Sequence, residues 1–374
     1  MTTSMPRRGS RRPLLMAASA LATVALVAGA CSKSSNNSTS STTAAGDGGT
    51  TTTTVQLAAT TLNGSGSTFQ LAFDQEAIQE FHGKYPAVTI NYPGGGSSKG
   101  LTDLANKLTN FAGTDATISD YTPYGGASAV LYFPTVAAPI NVAYNLANVS
   151  KTLVLSGPTI AKIFAGKITT WNDHDIMNDN PGVTLPGTKI TPVHRSDGSG
   201  TTHNFQTYLS KADPTDWTFG TSTTFGGPGG STGNGNQGVA QTVQSTDGSI
   251  GYVDYATAKA ANLTSASVKN SAGQTIAPTL AGASAALSTA TVNADLTYDP
   301  TNASGPMAYP ITSPTWIVVY KTQTDHNAGL ALKTFLNYIL TTGQTTTAMM
   351  SDYAPLQGDL LTKARAQLGN LVVP

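Results

Sequence analysis

The sequence is short of several things, and each shortage removes a class of function. It has one cysteine in 374 residues, Cys31, so no internal disulfide can form. Charged residues are only 11% of the chain and their formal sum is zero, which leaves no basic surface for nucleic acid. The five histidines, His82, His174, His194, His203 and His326, are scattered without metal-ligand spacing, so neither a metal nor another cofactor is expected. A Walker loop is missing, because the glycine-rich turn at Gly94 lacks the Gly-Lys-Ser/Thr order. Long apolar runs are also scarce. The one at 14–28 is fifteen residues, shorter than the roughly 20 a spanning helix needs.

What is present at the N-terminus reads as a targeting segment. Arg7, Arg8, Arg11 and Arg12 precede the apolar run, and Ala28-Gly29-Ala30-Cys31 closes it, so residues 1–30 are expected to be a lipoprotein signal peptide with lipid attached at Cys31. The two arginine pairs lack the rest of a twin-arginine pattern, which favours general secretion. Removing 1–30 takes away four arginines and no acids, leaving sixteen basic against twenty acidic residues. Residues 31–56 are Ser, Thr, Asn and Gly with few apolar groups; such a segment cannot offset its ordering entropy and is expected to be a disordered tether.

The remaining chain alternates strand-like and helical runs, which makes it α/β and long enough for two lobes. Three donor-rich turns each sit between such runs. Gly64-Ser65-Gly66-Ser67-Thr68-Phe69 is followed by Phe73, Ala77 and Phe81, one buried helical face. Gly94-Gly95-Gly96-Ser97-Ser98-Lys99-Gly100 is entered by alternating Val88, Ile90 and Tyr92 and left by Leu101, Leu104, Ala105 and Leu108 at helical spacing. Arg195-Ser196-Asp197-Gly198-Ser199-Gly200-Thr201 joins the apolar run 190–193 to Phe205, Tyr208 and Leu209. Free N–H groups at a helix start, with the macrodipole behind them, suit a small oxyanion, and an arginine adds a planar fork of donors. Alone, each segment also fits an ordinary capped turn. Phe111-Ala112-Gly113-Thr114-Asp115 reads as a short buried strand ending on a carboxylate, which alone fits a cap or a turn.

Together these segments resemble the phosphate-binding proteins of bacterial phosphate ABC transporters, from about Leu62 to the C-terminus. Gly238-Val239 and Gly248-Ser249-Ile250-Gly251-Tyr252-Val253-Asp254-Tyr255 add to the likeness. The resemblance implies that Thr68, Phe69, Ser97, Asp115, Arg195, Ser199, Gly200 and Thr201 enclose phosphate, with Asp197 holding the arginine. It departs at Thr114, where the family often has Ser, at Gln70, where Pro is frequent, and in the loop 218–235; none of these is a predicted ligand side chain. The implied fold is the periplasmic-binding-protein (type II) architecture: two α/β lobes joined by a hinge, with ligand in the cleft between them. Lobe I is expected over 57–136 and 309–374, lobe II over 137–308, with crossings near 134–138 and 307–312. The implied function is an exported receptor, lipid-anchored at the outer face of the cytoplasmic membrane, monomeric, that delivers inorganic phosphate to the permease subunits of an ABC importer.

Chemistry independent of the family supports Asp115 as a discriminator. An ionised carboxylate only accepts hydrogen bonds, so it rejects an oxyanion with no proton to give, such as sulfate at neutral pH. The alternative is a phosphatase or other hydrolase on a related scaffold. Ser199, Asp197 and His203 are the residues for it, with His203 expected to be exposed on the first helical turn. Gly229-Gly230-Ser231-Thr232-Gly233 fits the nucleophile-elbow pattern formally, but no strand-turn-helix is expected there. Trp171, Trp217 and Trp316 are expected in the core. Along the chain, 135–144 is expected to alternate between inward and outward residues, Ser156-Gly157-Pro158 to open a helix that Gly166 ends, and 316–320 to be a strand followed by a helix striped by Leu332, Phe335, Leu336 and Ile339.

Overall fold

The computed structural model describes residues 56–374. The leader 1–30, Cys31 and all of the tether but its last residue lie outside the described residues.

The chain begins with two strand-helix units and a third strand: β1 (Thr60–Gly66), α1 (Leu71–Lys84), β2 (Val88–Asn91), α2 (Ser97–Ala105) and β3 (Phe111–Thr114). Phe73, Ala77 and Phe81 bury one face of α1, as their spacing predicts. Leu108 departs from the expected stripe: α2 stops at Ala105, Lys107 turns into the left-handed region at φ 57°, and Leu108 is 68% exposed.

Next comes the sixteen-residue β4 (Val130–Asn145), then β5 (Val154–Leu155), α3 (Gly157–Phe164) and α4 (His174–Asp179). Ser156 caps α3 by accepting from the Thr159 N–H, and Gly166 follows its end at φ 72°, where a left-handed residue stops a helix. The strand β6 (Thr191–Arg195) leads to α5 (Gly200–Ala212), and β7 (Ser231–Gly233) leads to α6 (Gly235–Ser245). They are followed by β8 (Ser249–Asp254), α7 (Tyr255–Ala260), β9 (Thr264–Ser265), β10 (Ser267–Lys269), β11 (Thr275–Ile276) and α8 (Leu280–Leu287). The chain closes with β12 (Thr312–Tyr320), α9 (His326–Leu340), α10 (Thr347–Met350), β13 (Ala354–Pro355) and α11 (Gly358–Gln367).

The main sheet runs β2-β1-β3-β12-β4-β8-β6-β7, with β9 and β13 also on β4; β11-β10-β5 form a small second sheet. Strand β1 is parallel to β2 and β3, and β6 is parallel to β7 and β8, whereas β12 is antiparallel to both β3 and β4. Strand β4 is the common member. It pairs with β12 up to Pro139 and with β8 from Ile140 onward.

Strand β4 also corrects the expected alternation. Every residue from Val130 to Tyr144 is buried, so both faces of the strand are covered. Of the two polar side chains it buries, the Thr135 hydroxyl lies 2.6 Å from that of Thr315, and Asn141 donates from Nδ2 to Ser265 Oγ while its Oδ1 finds no partner among the described residues. A large apolar cluster spans both sides of β4 and contains Trp171, Trp217 and Trp316, as well as the α9 stripe Leu332, Phe335, Leu336 and Ile339.

Two details of the alternative reading change. His203 is half-buried, not exposed. A strand, turn and helix do occur at 231–235, but Ser231 opens the strand itself and does not stand on the strand-to-helix turn, so no elbow forms. Among the described residues no helix is long and apolar enough to cross a membrane.

Candidate functional site

On the β1 side of β4, two strand-to-helix turns and one strand end meet. Strand β1 is followed by Ser67, whose Oγ accepts from the Phe69 N–H at 2.9 Å, and Thr68 is buried in this turn. The second turn passes through Gly94, Gly95 and Gly96 at φ 78°, 113° and 92°, a run that residues with a Cβ rarely adopt; it lets Ser97 start α2 at full burial. Asp115 follows β3 and is 1% exposed. Ser97 Oγ donates to Asp115 Oδ1 at 2.6 Å, and the Asp115 N–H points back to Ser97 Oγ at 3.3 Å.

On the β8 side, β6 delivers Arg195, which is 3% exposed. Its Nε donates to Asp197 Oδ1 at 2.7 Å and its Nη2 to Asp197 Oδ2, a two-toothed pair. The Gly235 N–H at the start of α6 adds a third hydrogen bond to Asp197, at 3.0 Å. Burial pushes the Asp197 carboxyl up, but the Arg195 guanidinium and the backbone N–H groups that donate to it together hold it below its ordinary range. Ser199 caps α5, its Oγ accepting from the Thr202 N–H at 3.1 Å.

The two sides close on each other. Thr201 Oγ1 donates to Asp115 Oδ2 at 2.9 Å, and the Ser98 N–H donates to the Gly198 carbonyl at 3.1 Å. Gly200 sits so near Asp115 that a Cβ there would lie 2.6 Å from Ser97 Oγ, so only glycine fits. Thr68, Ser97, Asp115, Arg195, Asp197, Ser199, Gly200 and Thr201 therefore surround one place, where α2, α5 and α6 all begin. The N–H groups of Thr68, Ser97, Gly200 and Thr201, and Arg195 Nη1, have no hydrogen-bond partner among the described residues. Phe69 is placed differently: its ring packs against Tyr353 at 6.4 Å between centroids, and its N–H is taken by Ser67. A cavity of about 350 Å³ opens beside Asp115, lined by Thr117, Tyr121, His203, Asn204 and Asp295 among others.

Sequence reasoning missed the asparagines of this site. Asn204, on the second turn of α5, donates from Nδ2 to the Asp115 carbonyl and to Ser313 Oγ, at 2.5 and 2.7 Å. Asn236, on α6, donates from both its N–H and Nδ2 to Thr68 Oγ1, at 3.2 and 3.1 Å. The loop 218–235 also contributes: the Thr223 carbonyl accepts from the Ser199 N–H at 2.8 Å, and its hydroxyl accepts from Ser98 Oγ at 2.9 Å.

Two buried acids lie close by. Asp254, the cap of α7, donates its N–H to Asn236 Oδ1 and is pushed up by burial to about 7. Asp74 on α1 is pushed up by burial to about 8, against the opposing hydrogen bonds of Gln70 and Tyr92. The chemistry of the hydrolase alternative is not assembled: Ser199 Oγ serves as a helix cap, and His203 Nδ1 faces Asn204 Oδ1 at 3.4 Å. No cluster of three or more metal-ligating side chains occurs among the described residues.

Comparison with known proteins adds an independent line. The model of a family described as the PBP superfamily domain matches residues 37–342. Phosphate-binding protein PstS 2 of Mycobacterium tuberculosis is 36% identical over 299 residues, covering 76% of this chain and 80% of the relative. Phosphate-binding protein PstS of Xylella fastidiosa is 36% identical over 321 residues, covering 83% and 85%. Among solved structures, a high affinity periplasmic phosphate-binding protein bound with phosphate superposes with a TM-score of 0.66 at 24% identity, covering 82% of this chain and 94% of that one. An ABC-type phosphate transport receptor from Vibrio cholerae gives 0.53 at 16%, covering 79% and 100%. At those identities the two structures speak to the fold, which is that of the periplasmic binding proteins.

Proposed function

The chain belongs to the phosphate-binding proteins of the PstS type, within the PBP superfamily, and from that premise we propose that it captures inorganic phosphate outside the cytoplasm and hands it to an ABC importer. The family is one of binding proteins, not of enzymes. The observation that carries the reading is the convergence of three helix starts with a held guanidinium and a buried carboxylate, where several N–H groups have no partner among the described residues. A dehydrated phosphate needs every oxygen satisfied, and neutral donors spread its charge without a large positive field.

In this reading Thr68, Ser97, Ser199, Gly200 and Thr201 supply donors, the Phe69 turn shapes the site, Arg195 supplies the countercharge under the control of Asp197, and Asp115 accepts the proton of hydrogen phosphate. Lobe I is 57–136 with 309–374 and lobe II is 137–308, a division supported by the change of partner along β4 at Pro139 and Ile140. The permease is the partner, the protein is a monomer, and the membrane is held only through lipid on Cys31.

Titration calorimetry with inorganic phosphate tests the site: one-to-one binding is expected, and Arg195→Ala should raise Kd by about 10²- to 10³-fold, as loss of a buried charge partner does. Binding unchanged by that substitution would place the site elsewhere, and turnover of a chromogenic phosphomonoester would revive the hydrolase. Cys31→Ala should move the protein from the membrane to the soluble fraction; continued membrane retention would point to another anchor.

A further inference from the structure

Asn236 is the second residue of α6 and has no exposed surface. Its amide cannot swap ends, because Oδ1 accepts from the Asp254 N–H at 3.3 Å. Nδ2 is thereby turned toward Thr68 Oγ1 at 3.1 Å and Thr201 Oγ1 at 3.4 Å. The backbone N–H of Asn236 donates to the same Thr68 oxygen, at 3.2 Å. A hydroxyl has one proton and two lone pairs. Two donors from α6 occupy both lone pairs of Thr68 Oγ1, so the Thr68 proton can only be given away.

The geometry points to Asn236 as a positioning residue that fixes the Thr68 hydroxyl as a donor to the bound phosphate. This rests on the reading of Thr68 as a ligand. It makes the site polar in two opposite senses: Thr68 demands an unprotonated ligand oxygen at one corner, and Asp115 demands a proton at another. The hold also spans the cleft, since Thr68 follows β1 and Asn236 follows β7.

A double-mutant cycle in phosphate Kd separates this role from support of the fold. Thr68→Val removes the hydroxyl at constant shape, and Asn236→Ala removes the Nδ2 donor. Asn236→Ala alone should weaken phosphate about 10-fold, the scale of one charge-assisted hydrogen bond. In the Thr68→Val background it should change Kd less than about twofold, because nothing remains to orient. Asn236→Asp, whose carboxylate would draw the Thr68 proton to itself, should weaken phosphate more than Asn236→Ala does. Losses that multiply in the double variant, wild-type binding by Asn236→Ala, or better binding by Asn236→Asp than by Asn236→Ala would each overturn the assignment. Arg195→Ala run beside them tells the two failures apart: if it abolishes binding while Asn236→Ala does nothing, only this inference fails, and if it too binds normally, the site reading fails and takes this inference with it.

Discussion

Asp115 shows how much one side chain can decide. Its two carboxylate oxygens accept from the hydroxyls of Ser97 and Thr201, and its carbonyl is held by Asn204. A group that only accepts sets a condition on any oxyanion beside it, and sulfate cannot meet that condition at neutral pH. Asp115→Asn replaces one acceptor by a donor, so phosphate should weaken about 10- to 100-fold and sulfate should begin to compete. Competition calorimetry checks this, and undiminished rejection of sulfate would remove Asp115 from the role. Residues such as Asp115 and Arg195 were legible because each stands in a short segment of unusual composition between apolar runs. Asn236 was not, for nothing local marks an asparagine on a first helical turn. Its meaning depends on Thr68, 168 positions earlier, and on the Asp254 N–H behind it.

At the scale of elements, the period of apolar residues gave α1, β2, β3, β6, α5 and α9 their places, and the Ser156 cap with Gly166 gave α3 both its ends. The expectations that failed did so for reasons of context. Alternation along 135–144 anticipates one solvent-facing side, but β4 is an interior strand and even its threonine finds a partner within the sheet. Leu108 fits a helical stripe, but the left-handed Lys107 turns the chain before it. The gathering of the starts of α2, α5 and α6 also resolves an apparent conflict of charge. A chain whose residues 31–374 carry four more acids than bases can hold an anion when partial positive charge is concentrated at helix starts and falls off within a turn.

The whole molecule should register the buried acids as a dependence of stability on pH. Asp74 ordinarily titrates at 3.8 and is raised to about 8 in the fold, mainly by burial. Between those values the native state keeps a proton that the unfolded chain has released, so stability falls as pH rises, by up to about 1.4 kcal/mol per pH unit. Asp254, raised to about 7, acts with the same sign over a narrower window. Asp197, held low, has the opposite sign, and its contribution is lost only as pH falls below about 4. Asp74→Asn imitates the protonated acid and should flatten the decline; urea unfolding from pH 5 to 8 measures it, and an unaltered slope would show that Asp74 is not its source. The strand order carries a consequence for biogenesis. Strand β3 is complete at residue 114, yet the neighbour that joins it to the rest of the sheet starts only at residue 312. During synthesis and export the segment 60–114 therefore cannot join the rest of the sheet until β12 has emerged, which leaves it in need of protection by chaperones and exposed to proteases on the way out.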